Sequence, residues 1–115
     1  MSDKELLELA AKAAGIVDGH WLNDHSYWVG PYDGGYDWNP LDDNGDALCL
    51  AVKLWIDISF PLYREPDPPV VHAGMYWDAS DDIWYPFEEL RGTDPYAATR
   101  RAIVRAAAEI GREMK

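Results

Sequence analysis

Residues 38–60 read WNPLDDNGDALCLAVKLWIDISF, and the hydrophobic period changes partway along this stretch. An Asn-Pro turn and several aspartates precede apolar residues at helical spacing, which predicts a helix over residues 44–54. The apolar face of that helix comprises Leu48, Ala51, Val52 and Trp55. The last six residues then alternate, which predicts a strand with Ile56, Ile58 and Phe60 facing inward. A helix followed directly by a strand indicates a mixed α and β fold.

Two more helices are predicted at the ends of the chain. Residues 3–14 carry an apolar stripe after Ser2 or Asp3, either of which can cap the helix, and Gly15 ends it. Residues 95–113 form the clearest helix, with Thr93 or Asp94 as the N-cap. Its predicted buried stripe consists of Thr99, Ala102, Ile103, Ala106, Ile110 and Met114.

The remaining strands are predicted between these helices. Residues 26–38, SYWVGPYDGGYDW, suit a hairpin that turns at Asp33-Gly34-Gly35. Residues 70–77 and 82–87 read as two further strands, and Pro86 places the second at a sheet edge or ends it. Since sequential strands with short turns pair antiparallel, the expected fold is α+β. It is a single domain over residues 1–115, with a mostly antiparallel sheet of three to five strands, three helices and α-β-α layering.

Charge is distributed unevenly along the chain. The formal net charge is −11. The stretch from Asp18 to Asp94 has sixteen acidic residues against three basic ones, a net of −13, whereas residues 95–115 have a net of +3. Because an acidic body repels phosphate, direct binding to nucleic acid is not expected except through the last helix, and partners should be basic. No apolar run reaches the roughly 20 residues of a membrane helix, and the lone Cys49 suits a reducing cytosol.

The aspartates of residues 42–46 invite comparison with a calcium loop. Starting at Asp42, Asn44 and Asp46 fall at ligand positions three and five. However, Ala47 replaces the glycine at position six, and Lys53 stands where a bidentate carboxylate is required. The stretch is therefore interpreted as a turn and helix start, and no metal or other cofactor is predicted.

Other chemical groups give no catalytic pattern. His20, His25 and His72 lack the spacing of a zinc site, and Cys49 is expected to be a small buried helix residue. The acid pairs Asp81-Asp82 and Glu88-Glu89 could serve acid–base chemistry but are expected to be solvated. The six tryptophans leave two interpretations open, a covered core or an exposed aromatic binding surface. They are Trp21, Trp28, Trp38, Trp55, Trp77 and Trp84.

Over residues 1–112 the chain resembles the phage alpha-beta-alpha sandwich domain family, which is similar to NinX-like proteins of tailed phages and prophages. The resemblance lies in a W-x-P turn, a D-A pair that opens a helix, and a closing D-P-x-x-A-x-x-x-A-I helix. The matching residues are Trp38, Pro40, Asp46, Ala47, Asp94, Pro95, Ala98, Ala102 and Ile103. Cys49 departs from the polar or basic residue expected in relatives. The resemblance implies a three-layer fold and a phage origin, and with that origin the expected location is the bacterial host cytoplasm. The resemblance does not indicate an activity, because the family has no established one.

These observations favour a non-catalytic accessory protein that binds a basic host or phage protein. A sharper hypothesis is inhibition of a nucleic-acid-binding defence protein by carboxylates that imitate phosphates. The alternative is a small enzyme or ligand-binding domain with an aromatic-lined pocket. The predicted binding residues are Asp42, Asp43, Asp46, Trp38 and Trp55.

Overall fold

The computed structural model describes residues 2–23, 26–31, 33–60, 70–74, 87–90 and 92–114. The helices of this part of the chain are α1 (Asp3–Ala13), α2 (Asn44–Leu54) and α3 (Pro95–Glu113). Its strands are β1 (Gly19–Trp21), β2 (Tyr27–Val29), β3 (Tyr36–Asp37), β4 (Asp57–Ser59), β5 (Val70–Gly74) and β6 (Phe87–Leu90). The predicted α+β class is confirmed.

The three helices begin where local capping signals place them. Their N-caps are Ser2, Asp43 and Asp94, which accept the backbone N–H groups of Glu5, Asp46 and Ala97 at 3.1, 2.7 and 3.0 Å. These bonds satisfy donors that no helical carbonyl can reach. α1 ends at Ala13, one residue before the predicted end, and Gly15 takes a φ of +79° just beyond it. None of these helices has the length and apolarity needed to cross a bilayer.

The described strands are antiparallel throughout, and they form two three-stranded sheets where the sequence predicted one. The sheet orders are β1-β2-β3 and β4-β5-β6. The predicted hairpin is confirmed as β2 and β3, with Trp28 opposite Asp37. β1 was not predicted, because its three residues are too few to display an alternating pattern.

The final strand lies later in the chain than expected. β6 begins at Phe87, where the predicted strand ends, and it continues to Leu90; residues 82–86 lie outside the described part. Within the second sheet Ala73 is opposite Phe87, and Val71 is opposite Glu89. Glu88 and Glu89, expected on a turn or a helix end, therefore lie in a strand.

α3 runs through the centre of the fold. It contacts α1, α2, β5 and β6, and its buried residues cover more of its circumference than the predicted stripe. They are Ala98, Ala102, Ile103, Val104, Ala106, Ala107, Ala108 and Gly111. Small side chains let α1 approach closely: an added Cβ at Gly111 would lie 2.0 Å from the Leu9 carbonyl oxygen. Met114 is exposed, contrary to prediction, because α3 ends at Glu113.

The apolar face predicted for α2 is wrong in its orientation. The helix buries Ala47, Leu50 and Ala51, whereas Leu48 and Val52 are exposed. Both sets satisfy helical spacing, so periodicity alone cannot decide which one meets the core. Two related predictions are also wrong. Cys49 is exposed on α2, and Phe60 is exposed because it follows the end of β4 at Ser59.

Candidate functional site

The acidic residues before α2 have defined structural roles. Asp43 Oδ2 accepts the N–H of Asp46 at 2.7 Å, and Asp46 Oδ2 accepts the N–H of Asn39 at 3.0 Å. These two hydrogen bonds connect the turn at Asn39 to the first turn of α2. Asp42 is exposed in that turn. The structure thus brings Asp43 and Asp46 together at the helix start, as the helix interpretation requires.

Asp46 differs from its acidic neighbours because it is partly buried. Burial raises the pKa of the Asp46 carboxyl above its ordinary value, although the hydrogen bond from Asn39 opposes this change. The charges of Asp43 and Asp37 raise the pKa further. Ionised Asp46 is therefore a destabilising feature of the fold at neutral pH.

We expect Asp46→Asn to stabilise the protein more at pH 7 than at pH 3. A carboxyl whose pKa is raised on folding contributes stability below its unfolded pKa, and this contribution is lost as the pH rises through the folded pKa. Asparagine cannot ionise, and its Oδ1 can still accept the N–H of Asn39. Urea unfolding across this pH range measures the difference, and Asp57→Asn controls for the loss of an exposed negative charge. A benefit that shrinks as the pH rises would contradict the expected sign.

The two tryptophans predicted to bind a partner lie in opposite environments. Trp38 has 6% of its surface exposed and packs against Tyr27, with ring centroids 5.9 Å apart. It is therefore a core residue and offers no surface to a partner. Trp55 is 87% exposed and ends α2 in the left-handed region, with a φ of 58°. Trp21 and Trp28 are half-buried, whereas Trp77 and Trp84 lie outside the described residues.

A polar cleft of about 300 Å³ lies between α1, the turn before α2 and the first turns of α3. Asp42 lines it beside Asn39, and Arg101 donates a hydrogen bond to Asp3 at 2.7 Å within it. Trp21 forms another part of its wall and donates from Nε1 to Glu8 at 2.8 Å. Of the charged groups that line this cleft, Asp3 and Arg101 are paired with each other.

A second cavity is an apolar groove between α2, β4 and α3, with a volume of about 470 Å³. Its apolar lining consists of Ala47, Leu48, Ile58, Phe60, Pro95, Tyr96 and Ile103. Ala47 and Ile103 are buried at its base, whereas Leu48, Phe60 and Tyr96 are exposed around it. A continuous exposed apolar surface is typical of binding sites rather than of ordinary protein surface.

The polar groups of this apolar groove are hydrogen-bonded within the protein. Arg100 donates from Nη1 to Asn44 Oδ1 at 2.6 Å and from Nε to the Leu41 carbonyl at 2.8 Å. The Thr99 hydroxyl donates to the Pro95 carbonyl at 2.7 Å. A ligand in the groove would therefore meet mainly apolar surface, with the remaining N–H donors of Arg100 at one side.

Sequence reasoning did not identify the groove, although α2 contains a signal for it. From Leu48 to Trp55 every residue except Lys53 is apolar. A surface helix normally has one apolar face, so this composition predicts either complete burial or a second exposed apolar face. The contributions of Phe60 and Tyr96 depend on how distant segments pack, which no local pattern specifies.

The remaining chemical candidates form pairs or lie apart. His72 Nε2 and Glu88 Oε2 are 2.9 Å apart across β5 and β6, and Glu89 pairs with Arg105. His20 is exposed on β1, whereas His25, Asp81 and Asp82 fall outside the described residues. Within the described part, no three His, Cys, Asp or Glu side chains are grouped so that they could hold a metal ion.

Comparison of the chain with protein-family models, curated proteins and solved structures finds no match.

Proposed function

We propose that this protein is a non-catalytic interaction protein whose acidic body binds a basic protein. Its place in phage-infected or lysogenic bacteria, in the host cytoplasm, is part of the proposal and rests on the sequence resemblance. The observation that carries the proposal is the −13 charge of residues 18–94 together with the exposure of Asp37, Asp42 and Asp43 near the start of α2. Such a surface attracts cationic partners and accelerates their encounter.

Asp43 can serve both the fold and a partner. Its carboxylate uses one oxygen to cap α2, and an ionised carboxylate has about four acceptor positions, so further donors can still bind it. Lys and Arg side chains are the donors best suited to such a group. If the partner binds nucleic acid, these carboxylates would occupy the places of phosphates, and duplex DNA should compete with this protein for it.

The test uses the triple variant Asp42→Asn, Asp43→Asn and Asp46→Asn. Asparagine remains a good N-cap and hydrogen-bond acceptor, so the substitutions remove charge while preserving the helix start. Immobilised wild-type protein is exposed to an extract of infected bacteria, and the captured basic protein is then purified for kinetic measurements. We expect the triple variant to associate with it roughly tenfold more slowly at low salt. The wild-type rate should fall as salt shortens the Debye length to about 8 Å and below.

The matched control removes three exposed acids elsewhere, through Glu5→Gln, Asp18→Asn and Glu113→Gln. It has the same net charge as the triple variant, so a smaller effect on the association rate would locate binding near α2. Circular dichroism confirms that both variants are folded. An association rate that changes neither with salt nor with either set of substitutions would contradict the proposal. Turnover of a small substrate would also contradict it.

A further inference from the structure

We infer that the apolar groove between α2, β4 and α3 is a docking site for a basic amphipathic helix of a partner protein. This inference rests on the proposed function and names where and how a basic partner would bind. Its first support is Leu48, an exposed residue of α2 that lines the groove. Val52 and Trp55 continue the exposed stripe of α2 at spacings of four and three residues, outside the groove lining. Leu48 is 59% exposed, at a position where a surface helix normally carries a polar residue.

The groove has the form that suits a helix. It lies between two helices of this protein, and Phe60 and Tyr96 extend its walls beyond the buried base. Amphipathic helices bind such grooves by inserting apolar residues that repeat every three or four positions. Arg100, Asn44 and Thr99 each make a hydrogen bond within the protein, so most of the inserted residues can be apolar. Among the described residues that line the groove, Arg100 is the one charged residue, and the lysines of a bound helix would have to point away from it.

Charge selects among the possible occupants. The groove includes the first residue of α2, Asn44, and the first residue of α3, Pro95, and each follows an exposed aspartate cap. Asp43 and Asp94 each use one carboxylate oxygen in capping and can accept further bonds from Lys or Arg flanking the apolar residues of a bound helix. A second copy of this chain is disfavoured by repulsion between two bodies of charge −11.

The test uses three synthetic peptides of about 18 residues, or five helical turns. The first places leucines every three or four residues on one helix face and lysines elsewhere. The second is a scrambled sequence of the same composition, and the third replaces every lysine of the first with glutamate. Binding is measured by calorimetry. We expect the first peptide to bind most tightly, because the scrambled peptide lacks the apolar face and the acidic peptide is repelled.

Two matched variants locate the binding site. Leu48→Ser changes the groove, whereas Leu90→Ser changes a leucine of similar exposure, 61%, on β6 outside the groove lining. Both side chains are largely exposed, so both variants should remain folded, which circular dichroism checks. We expect Leu48→Ser to weaken the lysine peptide about tenfold, the value of burying one large apolar side chain. Leu90→Ser should change the affinity by less than about twofold.

The outcomes separate this inference from the proposed function. One outcome is that Leu48→Ser and Leu90→Ser have equal effects while salt and the triple asparagine variant still weaken binding. This outcome would overturn the groove as the binding site, but the proposed function as an acidic interaction protein would stand. Equal binding of the lysine and glutamate peptides would contradict both ideas, because charge would then have no role. A wild-type dimer in sedimentation that Leu48→Ser dissociates would assign the groove to a second copy and overturn the inference.

Discussion

Trp38→Ala is expected to lower the free energy of unfolding by about 3–5 kcal/mol, the largest stability effect among the substitutions considered. The indole is almost fully buried and packs against Tyr27, which in turn contacts Trp21 edge-on at 5.0 Å. The backbone N–H of Trp38 also donates to the Tyr27 carbonyl at 2.9 Å. Truncation would leave a cavity between the first sheet and the turn before α2, where several large groups meet.

Trp55→Ala supplies a control with the same chemical change. Its indole is 87% exposed, so its removal should alter stability by no more than about 0.5 kcal/mol. Urea unfolding followed by circular dichroism compares the two variants without depending on the deleted fluorophores. Similar losses at both positions would show that exposure does not govern the contribution of these tryptophans, and the assignment of Trp38 to the core would then be wrong.

Gly111→Ala is expected to destabilise the protein by about 2 kcal/mol, even though alanine is the better helix former. The propensity of alanine would favour the variant by about 1 kcal/mol. However, the added Cβ would lie 2.0 Å from the Leu9 carbonyl oxygen and 2.8 Å from its carbon. Both are backbone atoms of α1, so the clash can be relieved only by moving a helix, and overpacking of this kind costs about 1–3 kcal/mol or more.

Thermal unfolding tests this prediction, with a fall in Tm on the order of 10 °C expected for a domain of this size. Glu113→Ala provides the control, because it places an alanine in the same last turn of α3 at an exposed position. Its effect should stay within about 0.5 kcal/mol. An increase in Tm for Gly111→Ala would mean that α1 can withdraw from α3 at little cost.

Local signals predicted the helices well because they act over a few residues. Asp94 and Pro95 predict the start of α3, and the aspartates after Pro40 predict the start of α2. The division of the strands between two sheets was not predictable in this way. β4 pairs with β5 across residues 60–69, and such pairing is decided by the packing of the whole chain rather than by the strands themselves.

The candidate site shows the same limit. The capping role of an aspartate before α2 could be predicted, because a cap and its helix are adjacent in sequence. The apolar groove could not, because Leu48, Phe60 and Tyr96 come from three separate segments. Likewise, the six tryptophans left open a core role or an exposed binding role, and alternation and spacing could not distinguish the buried Trp38 from the exposed Trp55.

The contact between α1 and α3 joins two segments that are about 100 residues apart in sequence. The helices run in the same direction, because Asp3 pairs with Arg101 and Lys12 donates to the Met114 carbonyl at 2.9 Å, across 98 and 102 residues of sequence. A ribosome adding about 5–20 residues per second would expose α1 for roughly 5–20 s before its partner helix is made. During that time Leu6, Leu7 and Ala10 have no α3 to cover them. The native packing of α1 therefore forms only after α3 has been synthesised, about 100 residues later.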